Sequence, residues 1–164
     1  ARQNMMGEWE LNNLPVIERA KLNKPAPLLD QVYDMQGKLV DPAMLKGKTI
    51  VIDFWATWCI PCIEGFPYMQ QVYNRYKDNK DVIFMITNSG SKNSLKDAQD
   101  WVAANGFTFP FYYNDRKLAE AFGVNTIPST FVIDKTGNIQ YRTVGFEGPI
   151  MEAKLGLQIK SALK

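Results

Sequence analysis

The sequence predicts an α/β fold in which a central mixed β-sheet is flanked by helices, and three observations carry that prediction. Thr49–Trp55 and residues 82–87 are apolar runs of strand length, the pattern of strands covered on both faces. A helical period follows each run, first from Cys59 to about Lys77 and then over Leu95–Ala104, so the chain reads as successive βα units. Nearer the C-terminus, Ser129–Ile133 and residues 139–144 flank the turn Asp134-Lys135-Thr136-Gly137-Asn138, which predicts an antiparallel edge.

Taken in order, residues 1–24 carry Trp9, Leu11, Leu14, Val16 and Ile17, but Asn12, Asn13 and Pro15 interrupt any long period. No fold is assigned to them. They read as an N-terminal arm or a linker, and the domain proper as residues 25–164. Pro25 and Pro27 mark the boundary, and residues 28–33 and 38–40 read as short strands of a hairpin around the turn 34–37. Asp41-Pro42 opens a helical turn through Leu45. In the strand Thr49–Trp55, Ile50, Ile52 and Phe54 point one way and Val51, Asp53 and Trp55 the other. Pro67 interrupts the backbone ladder of the long helix that follows. Asn105-Gly106 ends the second helix, residues 107–112 give a further short strand, and residues 117–122 a short helix. Ile150, Leu155, Ile159 and Leu163 then fit a closing amphipathic helix over residues 149–163.

Composition narrows the chemistry. With 164 residues, 46% hydrophobic and 12% aromatic, one domain with a substantial core is expected. A net charge of +2 with acids and bases interspersed gives no stripe for nucleic acid. The chain has no histidine, which excludes Cys-His protease and zinc-hydrolase mechanisms. No apolar run reaches membrane-spanning length. The first residue is Ala1 rather than methionine, which leaves room for a signal peptide, a membrane anchor or an upstream domain outside the chain.

Both cysteines lie in Trp55-Ala56-Thr57-Trp58-Cys59-Ile60-Pro61-Cys62, where a buried strand hands over to a helix with Pro61 in its first turn. Unpaired amides and the helix macrodipole favour a thiolate at Cys59, the expected nucleophile. Cys62 lies one turn deeper on the same face and is the expected resolving thiol. A structural clip is the weaker reading, because closing a loop of about four residues contributes roughly 2 kcal/mol at best. Two cysteines without histidine also fall short of the four ligands of a closed zinc site.

This stretch resembles the active site of the thioredoxin superfamily. Its continuation Ile63-Glu64-Gly65-Phe66-Pro67-Tyr68-Met69 is similar to the extracytoplasmic thiol-disulfide oxidoreductases of the TlpA and ResA type, and the likeness runs from about Lys24 to the C-terminus. The resemblance implies a thioredoxin-like fold with an N-terminal hairpin extension and a central αβ insertion. It implies no cofactor, disulfide-containing protein substrates, an upstream thiol electron donor and a periplasmic or cell-envelope location, with the protein acting as a monomer. Asp53, six residues before Cys59, occupies the position of the family's buried aspartate, and buried among apolar residues it would serve as proton acceptor for Cys62. Residues 82–87 hold no lysine to pair with it, a departure from many thioredoxins. Pro128 matches the family's cis-proline. With Ile127, Trp58, Ile60 and Pro61 it makes the candidate substrate-binding set. Glu64 is expected in solvent, and the segment Asn88-Ser89-Gly90-Ser91 lacks the extra acidic residue of some ResA-like proteins.

Two other functions compete. A peroxiredoxin-like peroxidase normally has threonine three residues before its cysteine, where this chain has Ala56. A non-catalytic thioredoxin-fold binding module would use the apolar surface around Trp58 and Pro128 without needing paired cysteines.

Overall fold

A computed structural model gives the fold; it describes residues 2–164, with side chains at residue 5 and at 7–164. In chain order come helix α1 (Arg2–Arg19), strands β1 (Lys24–Pro25) and β2 (Tyr33–Asp34), a 3-10 turn (Pro42–Leu45) and β3 (Thr49–Trp55). Then follow α2 (Ile60–Tyr76), β4 (Val82–Asn88), α3 (Leu95–Ala104), β5 (Phe111–Tyr113) and α4 (Lys117–Ala121), with β6 (Ser129–Ile133), β7 (Asn138–Val144) and α5 (Ile150–Ala162) closing the chain. The strands form one sheet in the order β1-β7-β6-β3-β4-β5-β2. β3, β4 and β5 run parallel to one another, and β6 and β7 turn the other side of the sheet antiparallel.

β3 is the hub. It is buried at every residue, and its alternation divides the core in two. Val51 and Trp55 join a layer with Phe66, Met69 and Val72 of α2 and Leu155 and Ile159 of α5. Ile50, Ile52 and Phe54 join the opposite layer with Val32, Leu118, Phe122 and Phe131. The first layer is aromatic: the ring of Phe66 lies 5.3–5.7 Å from those of Trp55, Trp101, Phe107, Phe109 and Phe111. These contacts anchor the first turns of α2, and hence the cysteines, to β3.

Three segments differ from the sequence expectation. The arm is helical: α1 runs through Pro15 and packs along α5, with Ile17 buried and Trp9 and Leu14 half-buried against the core. The ion pair Glu10–Lys160 ties the two helices together, and Glu18–Lys164 ties α1 to the residues just after α5. Residues 28–32 form no strand, since Gln31 adopts a left-handed φ of 56° while its amide donates to Asp30 Oδ1. The hairpin is reduced to a Tyr33–Leu39 bridge, although Leu29 and Val32 still enter the core. β5 begins only at Phe111. Pro110 has no N–H to give a ladder, and the Thr108 amide donates instead to Gln70 of α2 at 2.8 Å.

Phe66→Ala is expected to cost about 3–5 kcal/mol through the cavity left among these rings, read as a lower urea midpoint with an unchanged slope. A loss under about 1 kcal/mol would mean that the aromatic layer repacks freely.

Candidate active site

Cys59 and Cys62 are joined as a disulfide at the start of α2. Cys59 is the helix N-cap, with extended φ and ψ of −87° and 98°, and its sulfur accepts from the Cys62 amide at 3.3 Å. One of the orphan amides of the helix end is therefore aimed at the Cys59 sulfur, where it favours negative charge. Cys59 Sγ also lies 3.7 Å from the Ile127 carbonyl oxygen. A disulfide sulfur has no proton to donate, so this is a packing contact that only a reduced thiol can turn into a hydrogen bond.

The two sulfurs face different surroundings. Trp58 and Ile60, on either side of Cys59, are 50% and 68% exposed, so this side of the pair is the approachable one. The Ile127–Pro128 peptide bond is cis. Trp58 and Ile127 border a groove of about 370 Å³ that Arg116, Val124 and Thr126 also line. Pro61, Cys62 and Pro128 instead line an inner cavity of about 30 Å³. Thus the structure brings Trp58 and Ile127 to the groove, puts Pro61 and Pro128 on the cavity, and leaves Ile60 exposed between them.

Asp53 lines that inner cavity with Cys62. Register explains how a carboxylate can sit inside β3: Asp53 lies directly opposite Thr130 of β6, whose hydroxyl donates to Asp53 Oδ1 at 2.6 Å. Among the described residues, no group donates to Oδ2. Since no side-chain oxygen or nitrogen among the described residues is both fully enclosed and unpartnered, Oδ2 opens onto the cavity. Burial pushes the Asp53 carboxyl up to about 7, only partly opposed by the Thr130 hydrogen bond. Desolvation outweighs the hydrogen bond because one neutral donor cannot replace water around a charge.

A loop network that sequence reasoning missed holds the cysteine turn from the other side. Asn93 Oδ1 accepts from the Thr57 amide at 2.8 Å and from Asn88 Nδ2 at 2.9 Å, and Asn93 Nδ2 donates to Thr57 Oγ1. The Trp58 indole donates to the Ser91 carbonyl at 2.9 Å. Gly90 makes this loop possible, because at φ +76° a Cβ would strike the backbone of Asn114 and Arg116. The sequence signals were one asparagine ending a buried strand and another five residues on and, for Thr130, its place two residues beyond Pro128. Glu64 is exposed, away from the cavity lining. Among the described residues, no group of three or more His, Cys, Asp or Glu side chains is placed to hold a metal ion.

The family model described as Redoxin matches residues 21–158, which spans the sheet, the cysteine turn and most of α5. The chain belongs to the Redoxin family. It is 32% identical over 129 residues to the thiol-disulfide oxidoreductase ResA of Bacillus anthracis, covering 78% of this chain and 72% of that protein. With ResA of Bacillus subtilis it shares 33% identity over 107 residues, 65% of this chain and 58% of that one. Among solved structures, a thiol:disulfide interchange protein from Chlorobium tepidum superposes with a TM-score of 0.69 at 27% identity, covering 87% of this chain and 98% of that one. A Bacteroides vulgatus protein described as a thiol-disulfide oxidoreductase gives 0.73 at 28% identity, over 88% and 99% of the two chains. The chemistry of the Cys59–Cys62 pair is dithiol-disulfide exchange.

The raised Asp53 pKa sets the pH dependence of stability. The unfolded carboxyl loses its proton near 3.8 and the folded one near 7, so between those values the folded state binds more protons and stability falls as pH rises. Asp53→Asn removes that penalty. It should leave stability unchanged below about pH 4 and raise it by up to about 4 kcal/mol above pH 7, measured by urea unfolding of the oxidised protein. A difference between wild type and variant that stays flat across this range would show that Asp53 ionises freely.

Proposed function

We propose that Cys59 is the attacking sulfur, Cys62 the resolving one and Asp53 the proton acceptor for Cys62, and that the chain reduces protein disulfides outside the cytoplasm. The observation that carries the assignment is the division of the site. A helix-end amide points at Cys59 on the approachable side, while Cys62 shares an inner cavity with Asp53.

In the reduced protein, the Cys59 thiolate attacks one sulfur of the partner's disulfide; a mixed disulfide forms and the partner's other sulfur leaves as a thiolate. Cys62 then gives its proton to the Asp53 carboxylate and attacks Cys59 Sγ. The mixed bond breaks, the partner departs as a dithiol once its sulfurs are protonated, and the Cys59–Cys62 disulfide remains. Two electrons have passed to the partner. An upstream dithiol donor supplies two new electrons to the Cys59–Cys62 disulfide by the same exchange run in reverse, and is itself left as a disulfide. With a pKa of about 7, Asp53 is near the working pH, the best compromise between being ionised and being basic.

Trp58, Ile60 and Ile127 present apolar surface and backbone to an extended segment of the partner, and Pro61 and Pro128 shape the floor between groove and cavity. The extracytoplasmic location rests on the likeness to the TlpA and ResA type, and the protein is taken to act as a monomer. No helix among the described residues is long and apolar enough to cross a membrane.

Cys62→Ser is expected to accumulate a mixed disulfide through Cys59 when mixed with a disulfide-bonded protein substrate, and Cys59→Ser to accumulate none. Trapping through Cys62 instead would reverse the roles. For the direction of electron flow, a reduction potential near or below about −250 mV is expected of the pair, and one near about −120 mV would make it an oxidant.

A further inference from the structure

The inner cavity has a second polar wall that the exchange mechanism leaves unused. Lys154 and Gln158 lie four residues apart on α5, on one face of the helix, and both line the cavity that Asp53 and Cys62 line from the sheet side. Gln158 is only 5% exposed, yet its amide finds no hydrogen-bond partner among the described residues. An amide so placed opens into the cavity for the same reason as Asp53 Oδ2: it is unpartnered without being fully enclosed. Lys154 stands at the rim, about a third exposed, and its ammonium donates to both carboxylate oxygens of Glu147 at 2.8 and 3.2 Å. Gly65, Phe146 and Met151 complete the walls with apolar surface.

We propose that Lys154, Glu147 and Gln158 are positioning residues of the resolving half-reaction: Gln158 and Asp53 Oδ2 hold water in the cavity, and the Lys154–Glu147 pair sets the charge at the rim through which the Asp53 proton leaves. The proposal rests on the proton-acceptor role given above to Asp53. A cavity of about 30 Å³ has room for water, and Asp53 and Gln158 supply the polar partners that buried water requires. The proton bookkeeping is complete: the proton that Cys62 gives up goes to Asp53, from Asp53 to the cavity water, and from there past the rim to solvent, where the partner's thiolates draw theirs. The titratable and charged groups on the cavity lining are Asp53 of β3, Cys62 of α2, Glu147 of the loop after β7 and Lys154 of α5. In this arrangement Lys154 and Glu147 neutralise each other at the rim, and it is burial and the Thr130 hydrogen bond that set the Asp53 carboxyl. Removing either one exposes the other.

The test is a carboxyl-carbon NMR titration of Asp53 in the oxidised full chain, in wild type, Lys154→Met, Glu147→Gln and Gln158→Leu, run alongside the pH dependence of mixed-disulfide resolution. Lys154→Met leaves Glu147 unopposed and should raise the Asp53 midpoint by about half a unit. Glu147→Gln frees the ammonium and should lower it by a similar amount, with both shifts shrinking in high salt. Gln158→Leu removes the water anchor and should raise the midpoint. A general loosening of the fold would not move Lys154→Met and Glu147→Gln in opposite directions. Midpoints that stay together in those two variants, or a Gln158→Leu midpoint equal to wild type, would overturn the inference. Opposed shifts in the carboxyl titration with a resolution rate indifferent to them would uphold the rim assignment and sink the proton-acceptor role of Asp53 instead.

Discussion

The structure depends on a carboxylate held inside a strand that is covered on both faces. β3 is buried along its whole length, and among the described residues the Thr130 hydroxyl is the single donor to the Asp53 carboxyl. A group so poorly solvated resists ionisation, which suits it to the proton-accepting role proposed for it: a pKa of about 7 falls within the range where thiols exchange. The same strand ends at Trp55, four residues before Cys59. Rigidity and chemistry are therefore set by one element, with Trp55 packed under the first turns of α2 and Asp53 facing the cavity behind Cys62.

Electrostatics divide the two sulfurs more than exposure does. Both cysteines are nearly buried, at 3% and 2%, so neither is freely presented to solvent. Cys59 differs in having a helix-end amide directed at it and exposed neighbours on the groove side. Cys62 differs in sharing a small cavity with an acid. An attacking sulfur needs stabilised negative charge and access; a resolving one needs somewhere for its proton to go. The loop of Asn88, Ser91 and Asn93 adds positional control, holding Thr57 and Trp58 so that the N-cap geometry of Cys59 is kept.

Much of this was legible in the sequence because it is local. The alternation in Thr49–Trp55 sorted its side chains to the two core layers, Pro61 marked the start of α2, and the spacing of Cys59 and Cys62 placed both sulfurs on one helical turn. What escaped depends on contacts between distant parts of the chain. α1 is helical despite Asn12, Asn13 and Pro15 because α5 supplies a surface, and Lys160 of α5 and Lys164 just beyond it pair with its acids; local propensity alone gave no hint of it. Besides Cys62 of α2, the residues facing Asp53 belong to β6, α5 and the loop after β7, so neither Thr130 nor the Lys154–Gln158 face could be read from the β3 pattern. β5 is short because Gln70, a side chain of α2, competes with the sheet for the Thr108 backbone.

The most direct test of the account is the pH profile of mixed-disulfide resolution, followed by stopped flow in wild type and in Asp53→Asn. The wild-type rate should rise through a midpoint near 7, the pKa of Asp53, and the variant should be slower near neutrality and lack that midpoint. Coincident profiles would contradict it and remove Asp53 from the reaction.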